Sequence, residues 1–101
     1  MENLYNINEY PISAEISELI VSNPNVRIER IISPAHFVSD WFDQDENEYV
    51  ILLQGQAVLE YEDGVKVELT AGNSLIIAAH QKHRLVDTSE EPLCIWMCVH
   101  Y

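Results

Sequence analysis

The sequence predicts an all-β fold, a sandwich or small barrel, and three observations predict it. Short segments rich in Val, Ile, Leu and Tyr fill the last three quarters of the chain, at the spacing of roughly 8–12 residues that suits such folds. Turns built on glycine, proline and asparagine divide them. The pair Asp63-Gly64, set between AVLEYE and VKVEL, is the strongest hairpin signal present.

Taken in order, the first structured segment is Ser13–Val21 (SAEISELIV), which fits either a short N-terminal helix capped by Ser13 or an edge strand. Val26–Ile32 (VRIERII) is β-branched and bounded by Asn-Pro-Asn and Ser-Pro, so it is a strand. Glu48–Gln54 and Gln56–Tyr61 flank Gly55, a bend between two strands. The Asp63-Gly64 hairpin leads into VKVEL, and Ala71-Gly72-Asn73 turns the chain into Ser74–Ala79. His83–Asp87 follows a polar corner, and Leu93–Tyr101 (LCIWMCVHY) closes the sequence as an apolar strand after Pro92.

At 101 residues the chain is one domain, long enough to bury roughly two thirds of its unfolded surface. It divides into an N-terminal strand or helix segment over 1–25 and a barrel over 26–101. No linker or internal repeat interrupts it. MENLYNINEY lacks the basic and apolar regions of a secretory leader, and no apolar run approaches the roughly 18 residues of a membrane span. Cys94 and Cys98 on one strand would stand about 13 Å apart, beyond disulfide reach, so they are expected as buried reduced thiols in a cytoplasmic protein. The formal net charge of −12, with only five Lys and Arg, argues against nucleic acid and would repel anionic substrates and attract cations.

Two residues carry the chemistry. Glu48 opens an apolar strand, EYVILLQG, and His83 closes GNSLIIAAHQKH. If Glu48 faces inward, Val50 and Leu52 share that face, and an unpaired carboxylate there would be costly. His83 and Leu85 point one way, Arg84 and Val86 the other. A Glu and a His converging in a β-framework suit a metal or a proton-transfer site. The alternatives are a strand-end carboxylate bonded to neighbouring backbone and an exposed turn histidine.

The spacings resemble those of the cupin family. Glu48, six residues, Gly55 is similar to the second half of its first motif; Gly72, ten residues, His83 is similar to its second, with Ala78 at the proline position and His80 at the second glycine. The likeness covers about 26–101 and implies a small single-domain cupin, a jelly-roll β-barrel of six to eight strands, commonly a homodimer. It also implies a metal site, yet the two histidines expected before Glu48 are replaced by Phe42 and Gln44, or by Trp41 and Asp43. A divalent metal would need Gln44, Glu48, His83 and a group such as His36 or Asp43, an oxygen-rich set that favours harder cations.

Without metal, Glu48 acts as base and His83 as acid or hydrogen-bond donor. His80 reads as a turn residue, His36 as part of a loop over the barrel mouth, and His100 as structural. Trp41-Phe42 and Trp96 are divided between pocket wall and plain core. The run Asp43–Glu48 fails as a calcium loop, because its sixth position is Glu48 rather than glycine and its twelfth is Gln54. Three functions stay open: a barrel binding a divalent metal or small molecule in a polar pocket, a metal-dependent enzyme of isomerase or dioxygenase type, and a dimeric interaction module.

Overall fold

A computed structural model describes residues 2–101; Met1 lies outside them. Among the described residues, eight strands form two antiparallel sheets. The larger contains β1 (Ile16–Asn23), β2 (Val26–Ile32), β8 (Ile95–His100), β3 (Glu48–Gln54) and β6 (Ser74–Ile77), in that order across the sheet. The smaller runs β5 (Lys66–Thr70), β4 (Gln56–Tyr61), β7 (His83–Thr88). No helix forms among the described residues. Of the two readings of Ser13–Val21, the helix is the one to correct: Ile16–Asn23 pairs with β2 from Ile16↔Ile32 to Asn23↔Val26.

Alternation explains the core. Along β3, Glu48, Val50 and Leu52 are buried while Tyr49 is exposed. Leu59 of β4, Leu69 of β5 and Leu85 of β7 meet them from the facing sheet, and Trp96 of β8 packs beside them on the neighbouring strand. The two inner faces thus close on each other as in a β-sandwich. Both cysteines are free and buried.

Gly55 is the corner where the chain leaves the large sheet for the small one. Its φ is +93°, and a Cβ there would lie 2.7 Å from Ser89 Oγ and 2.9 Å from Cys94 Sγ. Glycine is required there for both conformation and space. The stretch from His36 to Phe42 runs along the free edge of β7, through His36 N to Thr88 O, Ser39 N to Leu85 O and a reciprocal pair between Phe42 and His83. A covered edge is one that cannot pair promiscuously. On the outer face of β2, buried Arg30 donates to the carbonyls of Leu4 and Asn6 and pairs with Glu18, which fixes the N-terminal segment to the sheet.

Candidate functional site

The inward faces of β2, β3, β7 and β8 line a cavity of about 300 Å³ that opens to the outside. Strand β3 supplies Glu48, 6% exposed, and β7 supplies His83, 5% exposed. Strand β8 sends Trp96, Cys98 and His100 inward at two-residue intervals. Strand β2 contributes Arg27, Glu29 and Ile31 by the same alternation, and Phe42 and Gln44 enter from the loop before β3. Glu15 and Ser17 close the N-terminal side.

His83 has a defined orientation. Its Nδ1 lies 2.9 Å from the Gln81 carbonyl. A carbonyl only accepts, so Nδ1 carries the hydrogen and Nε2 turns to the cavity. Nε2 stands 3.7 Å from Glu48 Oε1. The other carboxylate oxygen, Oε2, stands 3.8 Å from His100 Nε2. Both separations exceed hydrogen-bond distance, and neither ring nitrogen of His100 has a hydrogen-bond partner. His100 Nε2 is also 3.2 Å from Glu29 Oε1, without the geometry of a hydrogen bond.

The surrounding charges are set by local contacts. Burial works against ionisation of Glu29, but hydrogen bonds from Ser17 and Arg27, with His100 nearby, outweigh it and hold that carboxyl below its ordinary 4.5. Burial pushes the Glu15 carboxyl up; a hydrogen bond from Ser33 opposes this and Glu48 adds to it. Burial also pushes the Cys98 thiol up, reinforced by Glu48. Arg27 is shared between Glu29 and Glu46, at 3.1 and 2.8 Å.

Of the residues singled out from sequence, Glu48, His83 and Gln44 line this cavity together. His36 does not. Its Nδ1 is 3.1 Å from Asp87, on the far side of β7, because the loop follows the β7 edge instead of folding over the mouth. Asp43 turns outward to His80 Nδ1 at 2.9 Å. His80 adopts φ +62°, which accounts for glycine at this position in the family, and its N–H donates to Gln44 O at 2.7 Å. It positions Gln44 without entering the cavity. Trp41 lies outside under the Arg84 guanidinium at 4.6 Å, whereas Phe42 faces in, 5.4 Å from the His83 ring.

Reading the sequence residue by residue misses His100, Glu29 and Glu15. The signal was there for His100: it follows Trp96 and Cys98 in the same alternation that marks them as inward-facing. The metal that the family implies is not matched by these donors. Glu48 divides its two imidazole neighbours between opposite oxygens, the positions of the usual histidine pair hold a phenyl ring and a neutral amide, and no three His, Cys, Asp or Glu side chains among the described residues form a metal-holding group.

The family profile described as Cupin domain matches residues 31–100. No curated protein matches the chain in sequence. Among solved structures, a protein of Ralstonia eutropha JMP134, provisionally named a mannose-6-phosphate isomerase, is 30% identical, covers 99% of this chain and 95% of its own, and superposes with a TM-score of 0.83. A cupin superfamily protein of Desulfitobacterium hafniense DCB-2 is 16% identical over 91% of this chain and 81% of its own, with a TM-score of 0.79. An RmlC-like cupin protein of Desulfovibrio desulfuricans is 12% identical over 99% and 94%, with a TM-score of 0.81. The last two share the fold alone. With the profile spanning most of the barrel, the chain belongs to the cupin family.

Proposed function

We propose that this cupin barrel binds a small organic molecule in its interior cavity, with Glu48 and His83 placed to exchange protons with it. The observation that carries this reading is the convergence of Glu48, His83 and His100, each nearly excluded from solvent, around a cavity of about 300 Å³. That volume stands at the small end of ligand pockets, and its few polar groups set in apolar walls are the usual composition of one. With Nδ1 held by Gln81, the Nε2 of His83 is the atom available to take or give a proton. Glu48 sits beside it to do the reverse.

A carboxylate and an imidazole that swap roles suit proton transfer between neighbouring atoms of a bound molecule, the chemistry of an isomerase. The name of the Ralstonia relative supports that class, and the exposed edge strand β1, with Leu19, Ile20 and Val21 on the surface, supports pairing with a second copy.

The test is NMR of the isotope-labelled protein titrated with small amines, alcohols, carboxylic acids and sugar phosphates. Shifts should cluster on Glu48, His83, Trp96 and His100; shifts confined to the outer surface would remove the reading. An enzyme loses turnover in Glu48→Gln, whereas a binding module loses only affinity. Stoichiometric divalent metal in the purified protein, lost in Glu48→Ala and His83→Ala, would replace this reading with the metal-centred one that the family suggests.

A further inference from the structure

We propose that the ligand of this cavity is a protonated primary amine carried on a small apolar body, its ammonium group seated between Glu48, His83, His100 and Gln44. The inference rests on the small-molecule reading above and specifies its chemistry.

Buried polar atoms in the cavity stand without partners. The Nδ1 hydrogen of His83 is committed to the Gln81 carbonyl, which turns Nε2 toward the cavity. That nitrogen stands 3.7 Å from a carboxylate oxygen of Glu48, beyond hydrogen-bond distance, so the carboxylate oxygen has room for a donor. Across the carboxylate, His100 is 3% exposed and both of its ring nitrogens lack partners. Gln44 Oε1, as its amide is placed, is a third buried acceptor without a donor. Buried polar atoms left unpaired in this way are rare in folded proteins, and each costs free energy unless something arrives to satisfy it. An ammonium group has three donors and no acceptor, and the Glu48 carboxylate oxygens and Gln44 Oε1 are acceptors able to take them.

Charge points the same way. Three carboxylates, Glu15, Glu29 and Glu48, line the space, and the one guanidinium, Arg27, is already divided between Glu29 and Glu46. A phosphorylated sugar would bring negative charge into a negative enclosure within a chain of net charge −12. A bare metal ion would satisfy some acceptors but leave Trp96, Leu59 and Leu85 with no hydrocarbon to contact, and the donors do not form a three-ligand group. An alkyl chain fills those walls, and the ring faces of Trp96 and Phe42 attract a cation.

The experiment compares ligands of one shape and different charge on the unmodified protein. Isobutylammonium, isobutanol, isobutyrate, mannose 6-phosphate and manganese(II) chloride are titrated separately, with binding read by NMR shifts and calorimetry. Isobutylammonium should bind at least about tenfold more tightly than isobutanol and isobutyrate. Glu48→Gln and Glu29→Gln should each weaken it by a similar factor, with Glu68→Gln, on the exposed face of β5, leaving it unchanged. Thermal melts of the variants separate lost binding from lost folding, and the ligand series is independent of them. Tighter binding of isobutyrate or mannose 6-phosphate in the cavity would overturn the amine assignment while leaving the small-molecule pocket intact, and tighter binding of manganese there would overturn it in favour of the metal-centred reading. Failure of every probe to bind would overturn both.

Discussion

Ser33→Ala tests how the cavity wall is held. Ser33 is fully buried. Its hydroxyl donates to Glu15 Oε2 at 2.6 Å and accepts from Trp96 Nε1 at 2.9 Å, so one atom orients two groups that line the cavity. Removing it deletes a bond to a carboxyl group, worth about 1.5–3 kcal/mol when charged, and a neutral one worth about 0.5–1.5 kcal/mol. The indole N–H is then stranded in a dry site. The total loss should fall near 2–4 kcal/mol. For a domain of this length, each kcal/mol lowers Tm by about 4–8 °C, so scanning calorimetry should record a fall of at least about 8 °C. Probe binding should weaken as well, because Trp96 and Glu15 lose their anchor. Ser74→Ala removes only an exposed contact with the Tyr49 hydroxyl and should stay within about 0.5 kcal/mol of the parent. A Ser33→Ala loss below about 1 kcal/mol, or one equal to that of Ser74→Ala, would refute the reasoning.

Three further outcomes follow from other parts of the molecule. Gly55→Ala combines a left-handed backbone penalty of about 1–2 kcal/mol with overpacking of about 1–3 kcal/mol against Ser89 and Cys94, whereas Gly64→Ala, at φ +88° in open space, meets only the first; denaturant melts should rank them in that order. The native chain holds the Glu15 proton more tightly than the unfolded chain, so this group favours folding below its unfolded value and disfavours it as pH rises through the native one. Glu15→Gln should therefore gain stability relative to the parent as pH is raised from 4 toward 7, and equal gains at both ends would contradict this. Burial and the adjacent Glu48 push the Cys98 thiol up, so iodoacetamide should leave Cys98 unmodified in the folded protein and alkylate it in urea, as peptide mass spectrometry would read.

Much of the barrel was readable from sequence because its strands alternate. VRIERII, EYVILLQ and the Asp63-Gly64 hairpin occupy the expected places, and Glu48 shares a buried face with Val50 and Leu52 as its spacing implies. Ser13–Val21 was ambiguous because both its faces are polar or exposed in the fold, so no period marks it. The site was only half readable. Glu48 and His83 stand out through their own flanking residues. His100 does not, because its importance comes from register: β8 sets it opposite Glu48 on one side and Arg27 on the other. Its alternation with Trp96 and Cys98 marks it as inward-facing, but pairing between strands far apart in sequence leaves no local mark of which residues it meets. His36 was misplaced for the converse reason, since a histidine near a Ser-Pro turn gives no indication of which edge its loop will follow.

Crystals soaked with isobutylammonium would give the most direct measurement. The nitrogen should appear within hydrogen-bond distance of a Glu48 oxygen, with His83 Nε2 and His100 at its sides and the hydrocarbon against Trp96. Electron density placing Glu48 and His83 on separate surfaces, or the amine anywhere outside this enclosure, would contradict the whole assignment.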